Sequence, residues 1–277
     1  MSWLERLRKV CERAQSLVCV GLDPDPRRLP PHLGPGTDAA TLVAFNRAII
    51  DATADLVCAY KPNLGFYLAY GPAGVEALLE TRRHIPAEIP VILDAKVGDI
   101  GSTSLAYARA YFDTWGFDAV TVHPYMGEDG LEPFLTRADR GVFVLVKTSN
   151  PGSGDLQDLP VASDGGTEPL YLHVAAQVQR WADRYGNCGL VVGATYPRQL
   201  AEVRRRCPDL PILVPGVGAQ GGDLAATIQA GRDAAGGGLL VNAARSVIYA
   251  SDGRDFAAAA RQAATALRDA INHARWG

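Results

Sequence analysis

Residues 90–125, PVILDAKVGDIGSTSLAYARAYFDTWGFDAVTVHPY, hold two apolar runs on either side of a helical pattern. PVILDAK (90–96) and DAVTVHPY (118–125) are rich in Val, Ile and Leu and do not alternate cleanly with polar residues. Continuous apolar runs of this length mark parallel strands covered on both faces. Between them, SLAYARAYFDTWG (104–116) repeats apolar residues at three- and four-residue spacing, which predicts a helix. The segment therefore reads as one strand–helix–strand unit. The same alternation runs along the rest of the chain. Further apolar runs are LVCVGLD (17–23), LVCAYKPN (56–63), GVFVLVKTS (141–149), CGLVVGAT (188–195), PILVPGVG (211–218) and GGLLVNAAR (237–245), eight in all. Helical patterns fall at 41–56, 73–85, 170–186 and 198–207, and the Ala-rich stretch 254–276 predicts a closing helix. Eight strands alternating with helices over about 250 residues predict an α/β fold, a (β/α)8 TIM barrel. A doubly wound open sheet is the alternative. No linker or low-complexity stretch divides the chain, so a single domain over 1–277 is expected.

The chain has 277 residues and a net charge of −3. That balance points away from a nucleic-acid partner and from a basic membrane patch. The opening MSWLERLRKVCERAQ is charged and amphipathic, which predicts a helix over about 2–15 and does not fit a signal peptide. No apolar run approaches the roughly 20 residues that span a bilayer. Five cysteines, Cys11, Cys19, Cys58, Cys188 and Cys207, form no C-x-x-C pair and lie mostly in apolar runs. They read as reduced, buried thiols, and the expected location is the cytoplasm. Two stretches fit neither strand nor helix. PDPRRLPPHLGPG (24–36) is a Pro-rich loop. NPGSGDLQDLPVASDGGTEP (150–169) is long enough to be expected as an active-site lid.

In a (β/α)8 barrel the active site forms where the strands end. The ends of the apolar runs carry Asp23, Lys61 and Asn63, Asp94 and Lys96 with Asp99 just beyond, His123, Lys147 with Thr148 and Ser149, and Arg245. Side chains two apart on a strand share a face, so Asp94 and Lys96 are expected to point the same way, as are Lys61 and Asn63. One such charge is usually a solvated rim residue; interleaved acids and lysines on several strands are better explained by a site. His123 reads as a supporting or structural residue, and Tyr125 and Met126 are expected to pack under the rim. PGVGAQGG (215–222) holds four glycines, and the loops after strands seven and eight are the usual phosphate site of this fold. Arg245 can grip a phosphate bidentately and Gln220 can donate an amide hydrogen. The five histidines show no metal-ligand spacing, so no metal site is expected.

The pattern D-x-K-x-x-D-I-x-x-T at Asp94, Lys96, Asp99, Ile100 and Thr103 resembles the signature of the orotidine 5′-phosphate decarboxylase family. GLD (21–23), KPN (61–63), TSNPGS (148–153), PGVGAQGGD (215–223) and VNAAR (241–245) extend the resemblance over nearly the whole chain and point to the longer, type 2 branch. The resemblance implies cofactor-free decarboxylation of orotidine 5′-monophosphate to UMP, the last step of de novo pyrimidine nucleotide synthesis. It implies a homodimer with shared active sites. Lys61, Asp94, Lys96 and Asp99 match the family's catalytic charge network, with Asp99 and Thr103 expected to serve the partner's site. Asp23 matches a ribose-binding acid, Ser149 a pyrimidine contact, and Gln220 and Arg245 the phosphate grip; Asn63 belongs with the substrate-binding set. One position departs from the family pattern: Ala244 stands where a glycine commonly precedes the phosphate-binding arginine. The alternative activity is a metal-dependent sugar-phosphate decarboxylase or aldolase on the same barrel. A non-catalytic nucleotide sensor is the third reading, and it leaves Lys96 between two acids without a purpose.

Overall fold

A computed structural model describes residues 2–34, 38–163, 165–217 and 223–276. Strands β1 Val18–Gly21, β2 Ala59–Lys61, β3 Ile92–Val97, β4 Ala119–Val122 and β5 Gly141–Lys147 come first. A separate antiparallel hairpin follows, β6 Pro160–Ser163 with β7 Gly166–Pro169. Then come β8 Cys188–Val192, β9 Ile212–Pro215 and β10 Leu239–Ala243. Leaving out the hairpin, the strands form one parallel eight-stranded sheet in the order β2-β1-β10-β9-β8-β5-β4-β3. Its two ends meet through the parallel bridges Tyr60–Val91 and Asn63–Asp94. The Tyr60 amide donates to the Pro90 carbonyl at 3.0 Å and the Asp94 amide to that of Pro62 at 3.0 Å. The sheet is thus a barrel, not the open alternative, and each of the eight apolar runs supplies one stave.

Burial explains why those runs do not alternate. One side of each strand faces the surrounding helices and the other faces the barrel axis. The axial plug takes one residue from every strand: Cys19, Ala59, Ile92, Ala119, Phe143, Val191, Leu213 and Leu240. Cys58, just before β2, and Trp3 and Leu7 of the N-terminal helix Trp3–Ala14 complete this cluster. Trp3 meets Phe143 edge-on, with ring centroids 6.3 Å apart. Gly141 at the start of β5 makes room for it, since a Cβ there would lie 2.3 Å from the indole. Arg6 is held by the buried Asp118 at 2.7 Å, together with Arg82 at 3.1 Å. The helix starts with a capping box: the Glu5 amide donates to Ser2 Oγ and the Ser2 amide to Glu5 Oε2. This helix therefore closes the end of the barrel where the strands begin, and leaves open the end where they finish.

The helices expected from periodicity are present at Ala39–Thr53, Gly71–His84, Gly101–Ala108 continuing as a π-helical turn Arg109–Thr114, Leu170–Tyr185, Pro197–Arg206 and Phe256–Trp276. Gly127–Leu135 and Leu224–Gly231 were not expected; each is two turns long, too short for a repeating pattern to emerge. The stretch 24–36 carries two 3-10 turns, Pro26–Arg28 and Pro31–Leu33. The stretch 150–169 is not structureless. It holds a 3-10 turn at Pro151–Ser153, a single helical turn at Gly154–Gln157 and the β6–β7 hairpin. No helix among the described residues is long and apolar enough to cross a membrane.

Trp3→Ala should remove the bottom of the axial plug. We expect a loss of about 3–5 kcal/mol in urea unfolding, with the barrel's far end keeping its ligand affinity in the folded fraction.

Candidate active site

The next axial layer is reached by moving two residues along each strand from the apolar plug. There polar groups enter the barrel: Lys61, Asp94, Thr121 and Asn242, with Leu145 and Pro215 between them, line a cavity of about 400 Å³ at the open end. Seven of the ten expected site residues line it, namely Asp23, Lys61, Asn63, Asp94, Lys96, Ser149 and Arg245. Asp99 and Thr103 do not; they lie beyond the end of β3, away from this cavity. Gln220 lies outside the described residues.

Asp94 is the hub of the wall between β2 and β4. Its Oδ2 accepts from Lys61 Nζ at 2.8 Å and from Asn63 Nδ2 at 3.3 Å. Its Oδ1 accepts from Lys96 Nζ at 2.6 Å and from Thr121 Oγ1 at 2.9 Å. Asp23 joins the chain by accepting the Asn63 amide at 3.0 Å. Burial alone would raise the Asp94 carboxyl, but the Lys61 and Lys96 ammoniums outweigh it and hold the group well below the usual carboxylate range. Burial alone would lower Lys61, but Asp94 and Asp23 outweigh that too and hold the ammonium above its ordinary value. Asp23 goes the other way: burial raises it, and the attraction of Lys61 offsets this only in part.

Asp94 and Lys96 do meet, although not on a regular strand. Between β3 and β4 the register passes from Leu93–Val120 to Val97–Val122, so β3 bulges outward over Asp94–Lys96. Lys96 itself has φ +49°, a left-handed conformation unusual for a residue with a side chain. The bulge turns the Lys96 side chain into the cavity mouth, where it is 47% exposed.

Glycines allow two close approaches at the rim. A Cβ on Gly193 would fall 2.7 Å from that of Ser149, so β8 can end against the Ser149 backbone. A Cβ on Gly21 would fall 2.6 Å from the Cβ of Ala244. Ala244 has φ −111°, outside the left-handed region that would call for glycine. Arg245 follows at the start of a single helical turn, Arg245–Ile248.

Some expectations need correction. Lys147 does not face the cavity. A second bulge, between Leu145 and Lys147, turns it outward. There it is fully buried, bonded to Asp158 at 2.7 Å and 4.8 Å from the centre of the Tyr196 ring. The Gln157 side chain accepts from the Thr148 amide at 2.9 Å and donates to Thr148 Oγ1 at 2.8 Å. The 150–169 segment is thereby wired to the strand end that presents Ser149. His123 packs its ring on Gly98, consistent with a structural part. Tyr125 and Met126 are not tucked under the rim but are 79% and 44% exposed. Thr121 and Asn242 had not been singled out. They are neutral and sit inside apolar runs, and the signal that finds them is the two-residue step from the axial plug. Among the described residues no group of three or more His, Cys, Asp or Glu side chains is placed to hold a metal ion.

Fold and site together define a (β/α)8-barrel protein with a charged ligand pocket at the ends of its strands. Residues 16–262 match the model of the orotidine 5′-phosphate decarboxylase / HUMPS family, and the chain belongs to that family. It is 60% identical over 275 residues to the orotidine 5′-phosphate decarboxylase of Thermomicrobium roseum, covering 99% of this chain and 96% of that protein. The structure of Leishmania donovani OMP decarboxylase superposes with a TM-score of 0.86 at 42% identity, each chain covered in full. Leishmania donovani UMP synthase gives a TM-score of 0.88 at 44% identity; the match covers 99% of this chain and 57% of that longer one.

The site makes a signed prediction about pH. Asp94, held low, contributes stability that is complete above the ordinary carboxylate value near pH 4 and is lost as pH falls towards its depressed folded value. Lys61, held high, contributes stability complete below about pH 10 and lost as pH rises through its elevated folded value. Asp23, raised, contributes in the opposite sense to Asp94. Asp94→Asn should therefore flatten the fall in stability below about pH 4, measured by urea unfolding. At neutral pH it should cost about 3 kcal/mol by stranding the buried Lys61.

Proposed function

We propose that this protein decarboxylates orotidine 5′-monophosphate to UMP without a cofactor, the closing step of pyrimidine nucleotide synthesis. The observation that carries the reading is the hydrogen-bonded chain Lys61–Asp94–Lys96 on one wall of the cavity, with Arg245 at its rim. Loss of CO2 from C6 leaves an electron pair on carbon with no adjacent sink. A rate gain requires an interaction stronger in the transition state than with substrate. The Lys96 ammonium supplies it: positive charge beside C6 stabilises the forming carbanion, and its proton then moves to C6 to give UMP. Lys61 and Thr121 hold Asp94, and Asp94 holds Lys96, so these dipoles and charges need little reorganisation during the reaction.

The remaining assignments follow the family resemblance. Asp23 and Asn63 take the ribose side, Ser149 the pyrimidine, and Arg245 with Gln220 the phosphate. Phosphate binding far from C6 draws the 150–169 segment over the site and excludes water. Asp99 and Thr103 complete the site of a second copy in a homodimer. Support comes from the residues around them: Ile100, Leu105, Tyr107, Tyr125 and Met126 are all exposed, and clustered exposed apolar side chains mark interaction surfaces. The five free thiols fit a cytoplasmic location.

Purified protein should consume orotidine 5′-monophosphate, followed by its ultraviolet absorbance, with no loss of rate in a chelator. Lys96→Ala should abolish turnover while binding UMP. Asp99→Ala should be similarly impaired. Mixing and refolding the two inactive variants should restore about a quarter of wild-type activity, because half the dimers are mixed and each carries one intact site. No recovery on mixing would refute the shared site.

A further inference from the structure

Thr121 is 1% exposed in the middle of β4, on the axial layer that floors the cavity. Its hydroxyl makes two bonds of opposite sense. It accepts the Lys96 backbone amide at 3.0 Å and donates its proton to Asp94 Oδ1 at 2.9 Å. Both partners lie on the β3 bulge, and Thr121 stands opposite it, between the paired residues Val120 and Val122. Asp94 sends its N–H to the Pro62 carbonyl on the β2 side, and a regular strand would aim the Lys96 N–H, two residues on, the same way; the bulge turns it toward β4 instead. There a side-chain oxygen, that of Thr121, receives it. Lys96 is also the residue with φ +49°, a conformation that persists where the surroundings fix it.

We infer that Thr121 is a positioning residue for the Lys96–Asp94 pair: one oxygen holds the lysine's backbone and the aspartate's carboxylate in fixed relation. The inference rests on the decarboxylase reading for its kinetic consequence. The hydroxyl has one proton, and Asp94 accepts it, so the lone pair facing Lys96 can only accept. That fixes the direction of both bonds. The lysine's backbone is held by Thr121 while its Nζ sits on Asp94 at the cavity mouth. Thr121 itself moves no proton to substrate. A valine has the same outline but can neither accept nor donate, so the Lys96 amide would lose its acceptor and Asp94 one of its four donors. A serine can do both.

Thr121→Val should lower kcat at least tenfold, as expected for loss of hydrogen bonds that align a reacting group. KM should stay within about threefold, because the ribose and phosphate contacts are untouched. Thr121→Ser should return kcat to within about threefold of wild type. Hydrogen–deuterium exchange of a peptide covering Val91–Ile100 should quicken in the valine variant and not in the serine variant. A valine variant with wild-type kcat overturns the inference. So does an equal fall in kcat for valine and serine, which would mark a packing role. Unchanged exchange in the valine variant overturns it as well. That last readout needs no turnover, so an inactive wild type would count against the decarboxylase reading while exchange still decides the role of Thr121.

Discussion

Four donors converge on one buried carboxylate, that of Asp94, and they come from three different strands or strand ends. A carboxylate so placed would be expensive without them, since burial disfavours its charge. Two of the donors carry positive charge, and Lys61 would be equally costly without Asp94. The members of the network therefore make one another tolerable, and none is stable there alone. That mutual dependence also helps to close the barrel: Asn63 and Asp94 form one of the two bridges at which β2 meets β3. The charges that would perform the chemistry are the same ones that stitch the first and last edges of the sheet.

The architecture supports this by division of labour along the axis. Below, one apolar residue from each of eight strands and the Trp3 indole fill the barrel. Two residues higher, Lys61, Asp94, Thr121 and Asn242 enter the layer and it opens into a cavity. The change takes one step of the strand period, so the charges rest on a packed, low-dielectric floor. There, electrostatic interactions are stronger than they would be in water. The N-terminal helix fixes which end is closed, through Trp3 in the plug and Arg6 on Asp118.

Much of this was legible from residues alone. Eight apolar runs gave the barrel, because strands covered on both faces leave an unmistakable continuous pattern. Charged residues at the run ends gave the site, because a charge at the edge of an oily run is conspicuous. Thr121 and Asn242 stayed hidden because a neutral side chain inside such a run is not. The β3 bulge was hidden for a different reason. It arises from pairing between strands, and nothing local to DAKV announces a left-handed lysine. Lys147 misled in the opposite direction: a lysine at a strand end resembles a site residue, yet a second bulge turns it outward to Asp158. In the 150–169 stretch, the helical turn and the short hairpin are each below the length at which periodicity can be read.

The contact between Gly21 and Ala244 constrains how this site can change over time. With alanine at 244, any side chain at 21 would press on the strand end that leads to Arg245, since the two β-carbons would be 2.6 Å apart. With glycine at 244 the 2.6 Å clash would go, and the nearest neighbour of a Cβ at 21 would be the backbone Cα of 244 at 3.2 Å, tight but no longer prohibitive. The order of substitution therefore matters. A lineage can move from glycine to alanine at 244 while 21 is glycine, but once it has done so, 21 is locked until 244 reverts. The two positions share a single methyl group's worth of room, and only one of them can use it.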